Sequence, residues 1–232
     1  MNIKDYVIDF IEGRVDPKEF IRKSFESDDI FDWIQSILPE NMTCYKNTWQ
    51  TDKWGDRHVK QEVVPYDIRL VVAQSMRYSG CVEDKVAIPM YSRQMMRTFH
   101  SCISSLVIKS FPGERIVCFT KYYDDYNFLL DACPVYIGGL EVEESELLDE
   151  LMDAIPTNLS DAQRIKWFKQ HVKDIFHIQG NKYPRWLNDP EWPMSGKKPM
   201  RFVSQKHDKN YIYEYVFEDV DTGETRIIEQ ST

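Results

Sequence analysis

The sequence predicts an α+β protein: a mainly helical body followed by a C-terminal three-stranded antiparallel meander. Apolar residues recur at helical spacing through much of the first 180 residues, and three β-rich runs separated by turn sequences close the chain. We therefore expect a helical body over residues 1–180. Residues 181–232 hold a Trp/Pro-rich connection and the meander, and we expect them to form one compact unit with the body.

Capping signals mark the first helices. Asn2 and the residues after it resemble the start of an amphipathic helix, and the run Asp16-Pro17-Lys18-Glu19 places a cap, a proline and an acid where a helix begins. Ser27 caps a further helix that Pro39 ends. Residues 39–64 lose this periodicity, which favours a loop or an irregular strand pair.

Three more helices follow from apolar spacing. One lies between Pro65 and Gly80, the strongest covers residues 89–109, and a third is capped by Ser160 with Gln163. The stretch of residues 115–120 is short and apolar, which predicts either one buried strand or a helical lead-in.

The end of the chain is rich in β-forming residues. The predicted strands cover 200–205, 211–218 and 225–229, with turns at 207–210 and 221–224. The middle run alternates aromatic residues with others, as a half-buried strand does. The Trp/Pro-rich segment that precedes all three strands contains too many prolines for regular structure.

Charge excludes several classes of function. The 232 residues contain 29 Lys and Arg against 38 Asp and Glu, a net charge of −9. Such a field opposes binding to nucleic acids and to anionic membranes. No apolar run approaches the ~20 residues that span a bilayer, and the N-terminus lacks a signal-peptide core. We expect a cytoplasmic protein with no nucleic-acid or membrane partner.

Neither metal chemistry nor nucleophilic catalysis has a recognisable motif here. The five cysteines are an odd number without C-x-x-C spacing, which indicates reduced thiols, and the histidines lack zinc-ligand spacing. Gly138-Gly139 predicts a helix-entry turn rather than a phosphate-binding loop. We therefore expect no metal site, no cofactor and no enzymatic activity.

Negative charge is concentrated in one stretch. Residues 122–163 contain eleven acidic residues and no Lys or Arg. Over 141–155 we predict one two-faced helix, with apolar side chains on one face and an acidic patch on the other. That patch is either a solvated surface or a docking surface for a basic partner. Its members are Glu143, Glu146, Asp149, Glu150 and Asp153.

Aromatic residues among the prolines form a second candidate site. Trp186 and Trp192 either line an exposed recognition site or fix an irregular loop onto the core. Both alternatives stay open at this stage.

The last fifty residues carry a resemblance to known proteins. The segments that carry it are Asn181–Leu187, Pro190–Pro193, Gly196–Met200, Phe202–Gln205, Tyr215–Glu224 and Ile228–Gln230. They resemble the tail of small cytosolic bacterial proteins of the immunity type, which neutralise polymorphic or contact-dependent toxins. The pattern is also similar to the YwqG-like family, in which Pro-x-Trp-x-Gln precedes Met-x-Phe-x-x-Gln; Asn188 stands here in place of the first Gln.

The resemblance implies a non-enzymatic antidote that binds its target tightly. Many toxin domains of such systems are basic nucleases, which agrees with the acidic patch. The predicted function is recognition and occlusion of a basic toxin domain. The alternatives are a small-molecule-binding protein or enzyme with a cleft between the body and the meander, and a structural subunit of a larger assembly.

Overall fold

The computed structural model describes residues 2–84, 87–207 and 212–231. These residues confirm the α+β class and the C-terminal antiparallel meander. None of the helices within these ranges has the length and apolarity to cross a bilayer. The elements are α1 (Ile3–Ile11), α2 (Pro17–Glu26), α3 (Asp29–Ser36), β1 (Thr43–Thr51), β2 (Arg57–Pro65), α4 (Ile68–Ser75), α5 (Arg93–Ser110), α6 (Lys121–Ala132), α7 (Leu140–Glu144), α8 (Leu147–Asp153), α9 (Asp161–Ile175), β3 (Met194–Ser195), β4 (Lys198–Pro199), β5 (Arg201–His207), β6 (Ile212–Glu218) and β7 (Thr225–Ser231).

The chain folds into two compact units, each with its own apolar core. Unit 1 covers Met1–Tyr126 and unit 2 covers Asn127–Thr232. The division falls inside α6, whereas the change in amino-acid composition lies near residue 180. The Trp/Pro-rich connection and the meander therefore belong to the same unit as α7, α8 and α9.

Helices α1 and α2 of unit 1 begin where their capping residues predict. Helices α3, α4 and α5 begin at Asp29, Ile68 and Arg93, inside the stretches where the sequence predicts them. The Asp16 carboxylate accepts the Glu19 N–H at 2.9 Å, with Pro17 as the first residue of α2. The N–H of Met95 donates to the Ser92 hydroxyl at the start of α5. The apolar faces of these helices meet in one core, where the rings of Phe10 and Phe20 stack at 3.8 Å.

Residues 43–65 form a regular hairpin. The loop or irregular pair expected there is replaced by two nine-residue strands in unbroken antiparallel register, from Thr43 opposite Pro65 to Thr51 opposite Arg57. Every residue of both strands is exposed or half-buried. Periodic burial is the signal that reveals a strand in a sequence, and this hairpin has almost none.

Residues 115–120 adopt no regular structure and lead into α6. Of the two alternatives expected there, the buried strand is therefore wrong. Helix α6 itself is not evident from the sequence. Only Tyr122, Asp125 and Ala132 of that helix are buried, which is too few for a periodic apolar stripe.

Unit 2 is built on the meander. Strand β6 lies between β5 and β7, and its Tyr215 and Phe217 are fully buried with α8 and α9 side chains in the core of this unit. Helix α9 begins at the predicted cap, where the Ser160 N–H donates to the Gln163 side chain at 2.9 Å. The predicted turn at 207–210 beyond His207, and Tyr211, lie outside the described residues.

Candidate functional site

All five residues of the acidic patch lie in unit 2, on two short helices instead of one. Glu143 is on α7, Glu146 lies between the helices, and Asp149, Glu150 and Asp153 are on α8. The single helix predicted over 141–155 is therefore wrong. Its predicted apolar face does meet the core of unit 2: Leu151, Met152 and Ile155 are buried there, and Leu147 and Leu148 are half-buried against it.

The break between the helices lies at Ser145 and Glu146. The Ser145 hydroxyl donates to the Val142 carbonyl at 2.7 Å and accepts the Leu147 N–H at 3.2 Å, so a side chain replaces helical backbone hydrogen bonds. Glu146 has a φ of 58°, in the left-handed region that residues other than glycine seldom adopt. The carboxylates consequently do not form one continuous helix face.

The patch differs in exposure from residue to residue. Glu150 and Asp153 are exposed, and Glu143, Glu146 and Asp149 are half-buried. Lys197 donates to Glu150 at 2.7 Å, and this hydrogen bond raises the pKa of Lys197. Side chains this exposed form weak ion pairs because water screens their charges, so Glu150 remains accessible to a stronger cationic partner.

Another acid of the same stretch has a structural role. The Glu141 carboxylate accepts the Met194 N–H at 2.8 Å and two Arg226 guanidinium hydrogen bonds. Burial opposes ionisation of Glu141, but these hydrogen bonds outweigh it and hold the pKa of Glu141 below its ordinary value. Glu141 therefore joins α7 to the strands β3 and β7 of its own unit.

Net charge divides unequally between the two units. By sequence, residues 1–126 carry a net charge of −2 and residues 127–232 carry −7. A cationic partner is therefore attracted mainly by unit 2, where the acidic patch lies.

The two tryptophans of the candidate aromatic site have different surroundings. Trp192 is 1% exposed; its indole N–H donates to the Met200 carbonyl at 2.8 Å and its ring meets Phe176 and Phe217 edge-on. Trp186 is half-buried, and its indole N–H donates to the Tyr136 carbonyl at 2.9 Å. Trp192 lies in the core, so only Trp186 is available to a ligand.

A cleft opens beside Trp186 in unit 2. Its volume is about 380 Å³, and Tyr136 and Tyr183, which stack on each other at 4.0 Å, form one part of its wall. Ligand sites of small molecules occupy about 300–1,000 Å³ and are lined mainly by apolar and aromatic groups. The remaining lining residues are Val135, Pro184, Arg185, Trp186, Asn188 and Pro190.

The Gly138-Gly139 pair is the helix-entry turn that the sequence predicts. Gly139 precedes α7 with a φ of 110°, and the Trp192 N–H donates to the Gly138 carbonyl at 2.9 Å. A Cβ atom on Gly139 would lie 2.9 Å from the Pro190 carbonyl oxygen and 3.2 Å from the Trp192 nitrogen. Glycine is required here by close backbone packing.

Gln230, which lies in a segment of the resemblance but has no predicted role, holds the Trp/Pro-rich connection in place. The buried Gln230 side chain on β7 accepts the N–H groups of Leu187 and Asn188, each at 3.0 Å, and donates to the Asp189 carbonyl at 2.9 Å. The Tyr215 hydroxyl also accepts the Leu187 N–H, at 2.7 Å. The only sign of this role in the sequence is that Gln230 directly follows the predicted strand 225–229 and continues its alternation, which places a polar side chain where it needs a hydrogen-bond partner.

In the described part of the chain, no group of three or more His, Cys, Asp or Glu residues could hold a metal ion. All five cysteines are free, and burial raises the pKa of the Cys133 thiol to about 12, which keeps it protonated at neutral pH. The His171 ring donates from Nδ1 to the Trp167 carbonyl of its own helix at 2.8 Å and stacks on the Trp167 ring.

Comparison of the chain with protein-family models, curated proteins and solved structures gives no match.

Proposed function

We propose that this chain is a non-enzymatic, immunity-type protein that binds a basic toxin domain and holds it inactive by occlusion. The observation that carries the proposal is the distribution of charge: the acidic patch lies in the more negative unit, within a stretch of the sequence that has no Lys or Arg. The C-terminal resemblance supplies the class of partner.

The construction of α7 and α8 supports a binding role for the patch. Val142, Leu151 and Met152 are buried in the core of unit 2 and hold the backbone of both helices in place. The carboxylates of Glu150 and Asp153 are exposed to solvent on that backbone. A preorganised charged surface attracts an oppositely charged partner at less entropic cost than a mobile one. The proposed place of action is the cytoplasm, where free cysteines such as these are typical.

The first experiment is a parallel capture from lysates of the native cells. The tagged wild type is compared with Asp149→Asn/Asp153→Asn, which removes two patch charges while retaining side-chain size. The matched control is Glu40→Gln/Glu224→Gln, which removes two exposed acids elsewhere. We expect one stoichiometric basic protein on the wild type and the control, and much less of it on the patch variant.

Two further readouts make this capture decisive. The captured protein, once purified, should have a toxic or degradative activity that the wild-type chain suppresses in a one-to-one mixture. Equal capture by the patch variant and the wild type would remove the acidic patch from the proposal. A captured protein that is acidic, or whose activity is unaffected, would contradict the proposed function as a whole.

A second candidate function is small-molecule binding in the cleft beside Trp186. The volume of this cleft and the three aromatic rings that line it favour this function. A ligand that binds the folded state raises thermal stability in proportion to RT ln(1+[L]/Kd), without any protein partner. A thermal-shift screen with the wild type and Trp186→Ala tests this, because a true cleft ligand stabilises only the wild type.

A further inference from the structure

The outer edge of β2 carries backbone groups that no other described residue is found to bind. The Asp52 N–H donates to the Asp56 carbonyl at 2.9 Å, so these two opposed residues form a hydrogen-bonded pair. Such pairs alternate along an antiparallel hairpin, and the even-numbered residues of β2 therefore exchange hydrogen bonds with β1. The N–H and C=O groups of Val59, Gln61 and Val63 then point away from β1. They form an open sheet edge.

The opposite edge of the same hairpin is covered. The outward N–H of Asn47 donates to the Gln74 side chain at 2.6 Å, and Gln74 in turn donates to the Tyr45 carbonyl at 2.8 Å. The Trp49 N–H donates to the Glu83 carboxylate at 3.1 Å. Side chains of unit 1 therefore satisfy the edge of β1, and the edge of β2 is the one left for a further strand.

The sequence of β2 is complementary to itself when two copies run antiparallel. With Gln61 opposite Gln61 of the second copy, Lys60 lies opposite Glu62 of the second copy and Glu62 lies opposite its Lys60. Val59 likewise lies opposite Val63. In the described part of the chain, neither Lys60 nor Glu62 has an ion-pair partner. Opposite charges at directly opposed positions stabilise a strand pair, and like charges destabilise it.

This register also matches the hydrogen-bonding phase of the open edge. Gln61, Val59 and Val63 all direct their backbone groups outward, so each opposed pair exchanges N–H···O=C hydrogen bonds in both directions. A register moved by one residue would oppose an outward-facing residue to an inward-facing one. The charges and the backbone therefore favour the same alignment.

Exposed apolar area points to the same arrangement. Val59 and Val63 are 40% and 62% exposed, and they share a face of the hairpin with Tyr45 and Trp49. Pairing sets Val59 beside Val63 of the second copy and extends this apolar row across both hairpins.

We propose that two copies of this chain associate through β2, antiparallel and centred on Gln61, to form one four-stranded sheet. The occupant of the open edge is the same strand of a second copy. This proposal concerns unit 1 and is independent of the proposed function, which concerns the acidic patch of unit 2.

The first test is sedimentation equilibrium of the full chain over a wide range of concentrations. Gln61→Pro removes the outward N–H at the centre of the pair and keeps the hydrogen bonds between β1 and β2. Gln61→Ala is the matched control, since it removes the same side chain but keeps the N–H. We expect a wild-type dimer, a similar dimer for Gln61→Ala, and a dissociation constant raised about 100-fold or more for Gln61→Pro.

The second test fixes the register by mixing two charge variants. Lys60→Glu places acid against acid in its own dimer, and Glu62→Lys places base against base, so each alone should dimerise about tenfold more weakly than the wild type. An equimolar mixture restores opposite charges at both positions and should recover dimers of mixed composition. Circular dichroism of each variant checks that the hairpin is still folded.

Three results would overturn the proposal. A wild type that stays monomeric at the highest attainable concentration excludes the second copy as the occupant of this edge. A dimer that Gln61→Pro leaves unchanged uses another surface. A dimer that Gln61→Pro dissociates, but whose charge variants gain nothing on mixing, does not have the antiparallel register centred on Gln61.

Discussion

The β1–β2 hairpin of unit 1 and the meander of unit 2 are both antiparallel, but of these two only the meander contributes to a core. In the meander, Tyr215 and Phe217 are fully buried among helix side chains of unit 2. In the hairpin, Tyr45 is 58% exposed, and side chains of Gln74 and Glu83 hold the edge of β1. One sheet is held by apolar burial, and the other by polar contacts at its edge.

This difference separates the two proposed interactions. Because one face of the meander is buried, the partner that we propose for unit 2 binds the charges on its helices instead. The hairpin buries neither face fully, and no residue that the structure describes pairs with the outer edge of β2, so unit 1 is able to pair its backbone with another strand. Truncating one aromatic side chain in each sheet tests this difference, and among the variants considered it should change the free energy of unfolding most.

Aromatic truncation should cost much more stability in the meander than in the hairpin. Phe217→Ala leaves a cavity in the core of unit 2 and should lower the free energy of unfolding by about 3–5 kcal/mol. Tyr45→Ala, on the exposed hairpin, should lower it by about 0.5 kcal/mol or less. Urea denaturation followed by circular dichroism measures both. Similar losses for the two variants would show that the hairpin belongs to a core after all.

The glycine pair before α7 tests the packing that supports the acidic patch. Gly139→Ala forces a Cβ against backbone atoms of Pro190 and Trp192 at a φ of 110°, and it should cost about 3 kcal/mol. Gly138→Ala is the matched control: its Cβ meets only Pro190 side-chain carbons, the nearest at 3.6 Å, and it should cost about 1 kcal/mol or less. Equal melting temperatures of the two variants would contradict this packing.

One glutamine side chain in each unit binds backbone groups of a neighbouring segment: Gln230, which is buried, in unit 2 and Gln74, which is half-buried, in unit 1. Gln230→Met leaves the Asn188 N–H without its acceptor and the Leu187 N–H with the Tyr215 hydroxyl alone, so we expect a loss of about 2–3 kcal/mol. Gln74→Met frees groups of the half-exposed hairpin that water can satisfy, and about 1 kcal/mol should be lost. Hydrogen exchange at Leu187 and Asn47 reports each site separately. A smaller loss in the free energy of unfolding for Gln230→Met than for Gln74→Met would contradict the expectation that the buried glutamine contributes more.

Acid should act on the two units in different ranges of pH. Burial lowers the pKa of His100 in unit 1 below its ordinary 6.5, although its ring nitrogen Nε2 hydrogen-bonds the Ile11 carbonyl. The unfolded chain then binds this proton more readily, so stability is lost as the pH falls below 6.5. The pKa of Glu141 in unit 2 is also lowered, from 4.5, and its contribution is lost only as the pH falls below that value.

Single variants separate these two effects. His100→Gln should flatten the pH dependence of the free energy of unfolding between about pH 7 and about pH 5.5. Glu141→Gln should leave that range unchanged and flatten the dependence below about pH 4.5. Urea denaturation over this series of pH values measures both slopes. Unchanged slopes in both variants would contradict these assignments.

Periodic burial explains which elements could be predicted from the sequence. The middle strand of the meander alternates because one of its faces is buried, and α2 and α9 carry capping residues that make their hydrogen bonds locally. The hairpin is not predictable as a regular element because neither of its faces is buried. The Ser145 break is not predictable from a helical wheel, because a wheel assumes an uninterrupted helix.

The candidate site was predictable only in part, for a related reason. The acidic residues could be located because charge is read directly from composition. Glu141 and Glu150 find their partners Arg226 and Lys197 on segments far along the chain. Gln230 likewise acts on residues about forty positions away. Such long-range polar contacts leave no periodic pattern in a single sequence.

The most direct test of the central claim is the salt dependence of the association rate constant between this chain and the basic protein it captures. We expect the wild type to associate fastest at low salt and to slow steeply as salt is added. Asp149→Lys/Asp153→Lys should associate about tenfold more slowly at low salt, with a flatter dependence. Identical rates and salt slopes for wild type and variant would contradict recognition through the acidic patch.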